Sequence, residues 1–281
     1  MSISVFDPRP CQLGEGAMWH PGRQQAFWFD ILGKRLLSRK GDEALEWQFD
    51  EHVSAAGWLD DDHLLIASET ALFRFDLRDG TRQHIAALEA EMTGNRSNDG
   101  RADPWGGFWI GTMAKDERRG AGAIYRWFRG ELRQLRAEVS IPNAICFSPD
   151  ATQAYFADTA EKTVWRQDLD AEGWPVGAPR VFLDLRSEGL NPDGAITDAQ
   201  GRFWNAQWGA GRLACYGPDG QFQQAIDLPS AQTSCPAFIG PALDVLLVTS
   251  AAVGLSGAQE GLSWKIKVPG VTGSPVPGVV L

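Results

Sequence analysis

No run of this sequence approaches the roughly 18 consecutive apolar residues that a membrane-crossing helix needs, so no membrane partner is expected. Residues 1–10 carry no cationic patch followed by a long apolar stretch and do not read as a secretory signal. Cysteine is scarce. Cys11, Cys146, Cys215 and Cys235 lie far apart without a Cys-x-x-Cys pair, which points to free buried thiols and a reducing, cytoplasmic home. The four histidines, His20, His52, His63 and His84, form no paired ligand spacing and read as surface or turn residues, with none expected near a site. Basic residues are outnumbered, 26 Lys and Arg against 36 Asp and Glu, and the net charge of -10 offers no basic face for a nucleic acid. No Gly-rich phosphate loop follows a strand and opens a helix, and the Gly-Leu-Ser-Gly at 254–257 lacks the spacing of a nucleophile elbow. Clean helical periodicity is missing throughout. Residues 81–92 and 114–121 are the two places with room for a turn of helix. No feature points to a particular oligomeric state.

What the chain does have is a beat. Gly (31), Pro (16) and Trp (12) are plentiful, as suits many turns and packed sheets. Six short apolar strands recur at 26–30, 64–68, 108–112, 154–158, 202–206 and 245–249. Their centres lie roughly 37 to 48 residues apart, the period of a β-propeller blade. Blades cannot bury their faces singly, so the repeat predicts an all-β, six-bladed β-propeller occupying residues 1–281 as one domain. The strand-like residues Ile3–Phe6 could join the last blade and remove its exposed edge. The Pro/Gly-rich stretch 269–281 reads as a loosely attached tail. Asp-Leu-Asp-Ala-Glu-Gly at 168–173 opens like a calcium-binding EF-hand loop. Its twelfth position is Pro179 rather than a bidentate Glu, so it reads as a hairpin turn.

About 10 to 13 residues ahead of most beats stands a polar residue with ligand chemistry: Glu15, Asn98 with Asp99, Asn143 and Asp193. In a propeller the first strand of each blade lines the central tunnel, and all first strands run the same way. Glu15, Asn143 and Asp193 should therefore meet at one mouth. Singly, each is an ordinary turn residue; matched offsets in separate blades argue for a site. Two carboxylates cannot share a dry site cheaply without a proton or a cation. Two carboxylates and one amide oxygen form a hard donor set that leaves positions open for water or substrate.

These segments taken together resemble a known family. Leu-Gly-Glu-Gly at 13–16, Asn-Arg-Ser-Asn-Asp-Gly at 95–100, Trp-Ile-Gly-Thr-Met at 109–113, Pro-Asn at 142–143, Pro-Asp-Gly at 192–194, Thr-Ser-Cys at 233–235 and Val-Thr-Ser-Ala at 248–251 are similar, in order and spacing, to the regucalcin/senescence marker protein/gluconolactonase family. The resemblance implies a six-bladed propeller that hydrolyses a sugar lactone with one divalent metal ion. It implies Glu15, Asn143 and Asp193 as metal ligands, with Arg96 and Asn98 holding the sugar. It also implies an acidic substrate contact at Asp116, as in some relatives. The chain departs from the family at Ala144, where Gly is usual, and in a shorter loop over 251–263. Oxygen-only ligands favour Ca, Mg or Mn, with Zn or Fe(II) allowed by geometry. Asp193 is the expected general base, and Trp208 is the one tryptophan with a place as a sugar platform. Two other readings stand beside this one. A propeller phosphotriesterase or arylesterase would want a His near the ion. A non-catalytic cation-binding propeller would have no use for Arg96 and Asn98.

Overall fold

The computed structural model describes residues 1–281 and contains 24 strands in six four-stranded antiparallel sheets. Each sheet is one blade, and the blades follow one another around a ring. Their innermost strands are Gly14–His20, Val53–Asp60, Asn95–Ala102, Pro142–Phe147, Asn191–Thr197 and Gln232–Ile239. Each innermost strand touches the one in the next blade, and the sixth touches the first, which closes the ring. The six apolar beats fall in the second strand of each blade. Those strands are buried on both faces because each sheet is sandwiched between two others, so they read as continuous apolar runs. Outermost strands such as Glu43–Gln48 are exposed and polar.

Apolar clusters fill the wedges between neighbouring blades. Trp109 and Trp204 occupy the same repeat position in blades 3 and 5, and both are fully buried, as is Trp28 in blade 1. The expected N-terminal strand is present: Ser2–Asp7 pairs with Ser263–Lys267 as the outermost strand of blade 6. The only helical element is a single 3-10 turn, Thr159–Glu161. Residues 82–87 form a strand, and residues 114–121 hold the end of a strand and two turns. The stretch resembling an EF-hand is a hairpin turn in which Asp170 accepts from Glu172 N and Trp174 N, both at 2.9 Å. No helix is long and apolar enough to cross a membrane.

The C-terminal tail is not loose, contrary to its composition. It is a strap across the tunnel mouth opposite the one where Glu15 arrives. Near blades 5 and 6, Ala199 N donates to Thr272 O and Gly273 N to Leu243 O. On the other side of the ring, Val279 N donates to Trp58 O and Val280 N to Gly106 O. Val271 and Val279 are buried, and the strap roofs a cavity of about 340 Å³ walled by Trp19, Trp58, Phe147 and Phe238. Burying a valine side chain contributes about 1.5–3 kcal/mol. Truncation after Val268 should therefore lower the melting temperature on the order of 5–10 °C in a calorimetric scan. An unchanged melting temperature would show the strap to be energetically idle.

Candidate functional site

Every innermost strand breaks register with its neighbour near the same end. The breaks lie between Glu15 and Met18, Val53 and Ala55, Ser97 and Gly100, Asn143 and Cys146, Pro192 and Ala195, and Thr233 and Pro236. A bulge turns side chains out of the regular alternation and is a recurrent device beside functional sites. In blades 1 and 4 the residue after the proposed ligand has a left-handed backbone, Gly16 at φ 58° and Ala144 at φ 58°. A Cβ on Gly16 would lie 2.2 Å from Ser54 O, so only Gly fits there. Ala144 adopts the same conformation with its methyl group buried, which is where the chain departs from the Gly usual in the family it resembles.

The bulges bring Glu15, Arg96, Asn98, Asn143 and Asp193 to one cavity of about 550 Å³. All five side chains are buried. Their orientations follow from a chain of hydrogen bonds. The Thr159 hydroxyl donates to Pro192 O at 2.6 Å, so its oxygen must accept from Asn143 Nδ2 at 2.8 Å. That assignment leaves Asn143 Oδ1 as the cavity-side atom, accepting from Asn98 Nδ2 at 3.1 Å with a second lone pair to spare. Asn98 Nδ2 also donates to Pro142 O at 3.0 Å, and its Oδ1 accepts from Arg96 Nη1 at 2.7 Å. Arg96 spends only Nη1 on protein partners, Asn98 and Ser97 O, and keeps its other nitrogens for the cavity.

The carboxyls of Glu15 and Asp193 line the same cavity, and each acts on the proton affinity of the other. Burial pushes Glu15 well above the usual carboxylate range, and the charge of Asp99 adds to it. Burial raises Asp193 too, reinforced by Glu15 and then Asp99. Asp99 lies just beneath and is itself raised by burial. Its Oδ2 accepts from Ile145 N at 2.7 Å, while Oδ1 has no partner. Burial pulls the Arg96 guanidinium down to about 10. Arg101 crosses the tunnel below, donating through Nε to Ile145 O (3.0 Å) and through Nη2 to Ala195 O (3.1 Å). It thereby ties together the strands that carry Asn143 and Asp193.

Three buried carboxyls against two guanidiniums leave negative charge uncompensated when all are ionised. A hard divalent cation among Glu15, Asp193 and Asn143 Oδ1 would remove that excess, so the donor set fits such an ion. No group of three or more His, Cys, Asp or Glu side chains forms a metal site elsewhere or here; the third donor is an amide oxygen.

Asp116 is not brought in. It is exposed, and its Oδ1 accepts from Arg118 N within the turn. Glu117 lines the cavity instead, its left-handed backbone (φ 57°) redirecting the chain by one residue. A second correction concerns histidine. His52, expected far from any site, lines the cavity together with Lys115 and Trp208. The repeat did not mark it: His52 stands 14 residues ahead of the centre of the 64–68 beat, just outside the offset of the other mouth residues. Blade 2 therefore contributes chemistry to the mouth.

Known proteins resemble this chain along most of its length. The SMP-30/Gluconolactonase/LRE-like region matches residues 13–252. The chain is 38% identical over 254 residues to the L-arabinolactonase of Azospirillum brasilense, covering 87% of this chain and 82% of that protein. It is 32% identical over 262 residues to the 6-deoxy-6-sulfogluconolactonase of Pseudomonas putida, covering 92% and 89%. A solved structure of the calcium-binding protein regucalcin from Agrobacterium tumefaciens superposes with a TM-score of 0.96 at 40% identity, covering 99% of this chain and 97% of the other.

Proposed function

The chain belongs to the SMP-30/gluconolactonase/LRE-like family, and we propose that it is a metal-dependent sugar lactonase whose site is the mouth formed by Glu15, Asn143 and Asp193. The observation that carries this reading is the pair of buried carboxyls, with an amide oxygen aimed beside them and Arg96 on the adjoining wall. The lactonase names of the relatives support the substrate class. Glu15, Asn143 and Asp193 would hold the ion. When bound, it would polarise the lactone carbonyl and offset the negative charge that develops on its oxygen.

The protein groups divide the remaining work. Arg96, fixed by Asn98, presents a planar fork of donors to substrate oxygens and orients the ring. Asp193 accepts a proton from the attacking water as the new C–O bond forms at the carbonyl carbon. The ring C–O bond then breaks, and the ring oxygen leaves as a hydroxyl, taking up the proton that Asp193 holds. The products are the open-chain sugar acid and a regenerated carboxylate, so the proton count closes. Trp208 offers an apolar face to the sugar at the cavity edge. The four cysteines are buried and unpaired, which supports a reducing compartment such as the cytoplasm.

The test is lactone hydrolysis followed by pH indicator, using chelator-treated protein reloaded separately with Ca, Mg, Mn, Zn or Fe(II). Chelation should reduce turnover by about 100-fold or more, and at least one ion should restore it. Full activity after chelation would remove the ion from the mechanism while leaving lactone hydrolysis standing. The presence of His52 gives the arylesterase or phosphotriesterase reading one supporting feature. Aryl esters and phosphotriesters therefore belong in the same panel, and preference for them over lactones would replace the lactonase reading.

A further inference from the structure

Blade 2 places a histidine–carboxylate pair on the cavity wall that the proposed mechanism does not use. His52 stands immediately before the innermost strand of the blade, and Glu69 immediately after its second strand. They are bound twice through the backbone: Glu69 N donates to His52 O at 3.0 Å, and His52 N donates to Glu69 Oε1 at 3.3 Å. The imidazole Nδ1 also meets Glu69 Oε1. The other carboxylate oxygen, Oε2, accepts from Lys115 Nζ at 2.8 Å, and Lys115 is anchored in turn on Thr93 O.

This arrangement dictates the tautomer. A carboxylate held by a lysine is an acceptor only, so the proton of a neutral imidazole must sit on Nδ1. The opposite nitrogen, Nε2, then carries a lone pair, and it has no protein partner. His52 lines the same cavity as Glu15, Arg96 and Asn98. Of the charged acceptors of that cavity, Glu15 and Asp193 belong to the reacting end, and Glu117 is an exposed carboxylate. A polyhydroxylated substrate brings several donors and needs an acceptor on the wall. We propose that His52, with its tautomer set by Glu69, accepts a hydrogen bond from one hydroxyl of the substrate and makes the site selective for lactones that carry it. The proposal rests on the lactonase reading.

A site built to pair with a substrate hydroxyl rejects the analogue lacking it, because the site's own polar group is left without a partner. The experiment compares an aldonolactone with the set of its monodeoxy analogues. In the wild-type protein one analogue should show a KM raised about 10-fold or more. His52→Phe should raise KM for the parent lactone by about the same factor with little change in kcat, and should erase discrimination against that one analogue alone. His52→Gln, which offers an amide oxygen near the position of Nε2, should restore part of the preference. In Glu69→Gln the amide oxygen would turn to Lys115 and the NH₂ to His52 Nδ1, moving the ring proton to Nε2. Nitrogen-15 NMR of the imidazole should report that switch, and the variant should lose discrimination as His52→Phe does.

A purely structural clasp would change the ring tautomer and the melting temperature but would leave KM and the discrimination between analogues unmoved. Unchanged discrimination in His52→Phe, or in His52→Ala should the bulkier variant not fold, would overturn this assignment and leave the lactonase reading intact. An Nε2-protonated ring in the wild type would do the same. A wild-type protein that turns over no lactone would overturn both.

Discussion

Asp193→Asn is expected to lower kcat for lactone hydrolysis by about 10³-fold while leaving the protein as stable as before, or more so. The substitution preserves shape, so the bulge at Pro192–Ala195 and the bond from Asn205 Nδ2 to Asp193 O at 2.9 Å should survive. What it removes is a carboxyl that burial, and then repulsion from Glu15 and Asp99, hold above its usual range. Without bound cation, losing that repulsion favours the folded state. Without the carboxylate, water has no base and the ring oxygen has no proton donor. The opposite signs of the two effects make the test demanding. A variant that is inactive only because it is misfolded would lose melting temperature, whereas this one should hold or gain it. Near-normal turnover in Asp193→Asn would remove Asp193 from the mechanism, whatever happened to stability.

The largest expected effect on stability lies outside the site, at Asp103 and Arg126. Both side chains are fully buried in blade 3, joined from Arg126 Nε to Asp103 Oδ2 at 2.7 Å. Asp103 Oδ1 also accepts from Trp105 N and Gly107 N, closing the turn. The two remaining guanidinium nitrogens have no hydrogen-bond partner. The guanidinium instead lies 4.1 Å from the Phe128 ring centre and 4.5 Å from that of Trp174, so the aromatic faces share in holding the charge. Removing one member of a buried pair strands the other. Asp103→Leu should cost about 3–5 kcal/mol and lower the melting temperature on the order of 10 °C. Arg126→Met in the same background should recover part of that loss, since it removes the stranded charge. Denaturant unfolding of the two single variants and the double variant closes the cycle. A double variant no more stable than Asp103→Leu alone would mean that the turn bonds, not the ion pair, carry the effect.

How much of this could be read from the chain varies by element. The blades were legible because second strands are packed on both faces, and double burial demands an unbroken apolar run. The N-terminal strand was legible because a ring needs its last edge covered. The tail was misread. Its composition is that of a linker, and it is held by backbone bonds to residues such as Leu243 and Trp58 that no local pattern reveals. At the mouth, Glu15, Asn143 and Asp193 were found through their repeated offset. His52 stands just outside that offset and has no paired ligand spacing, so no local pattern marked it. Asp116 and Glu117 are adjacent acids, and local composition could not choose between them. The choice turns on one left-handed residue in a turn, decided by the geometry of the loop.

By itself, then, the sequence determined the repeat, the number of blades and the kind of donor atoms delivered to the mouth. Each of these depends on residue type at fixed local spacing. The tertiary structure alone decided which of those atoms face one another, how deeply they are buried, which acid turns inward and what the tail covers. Those properties arise from contacts between blades far apart in the chain. Burial and the nearness of like charges, which raise Glu15 and Asp193 together, exist only once the ring is closed.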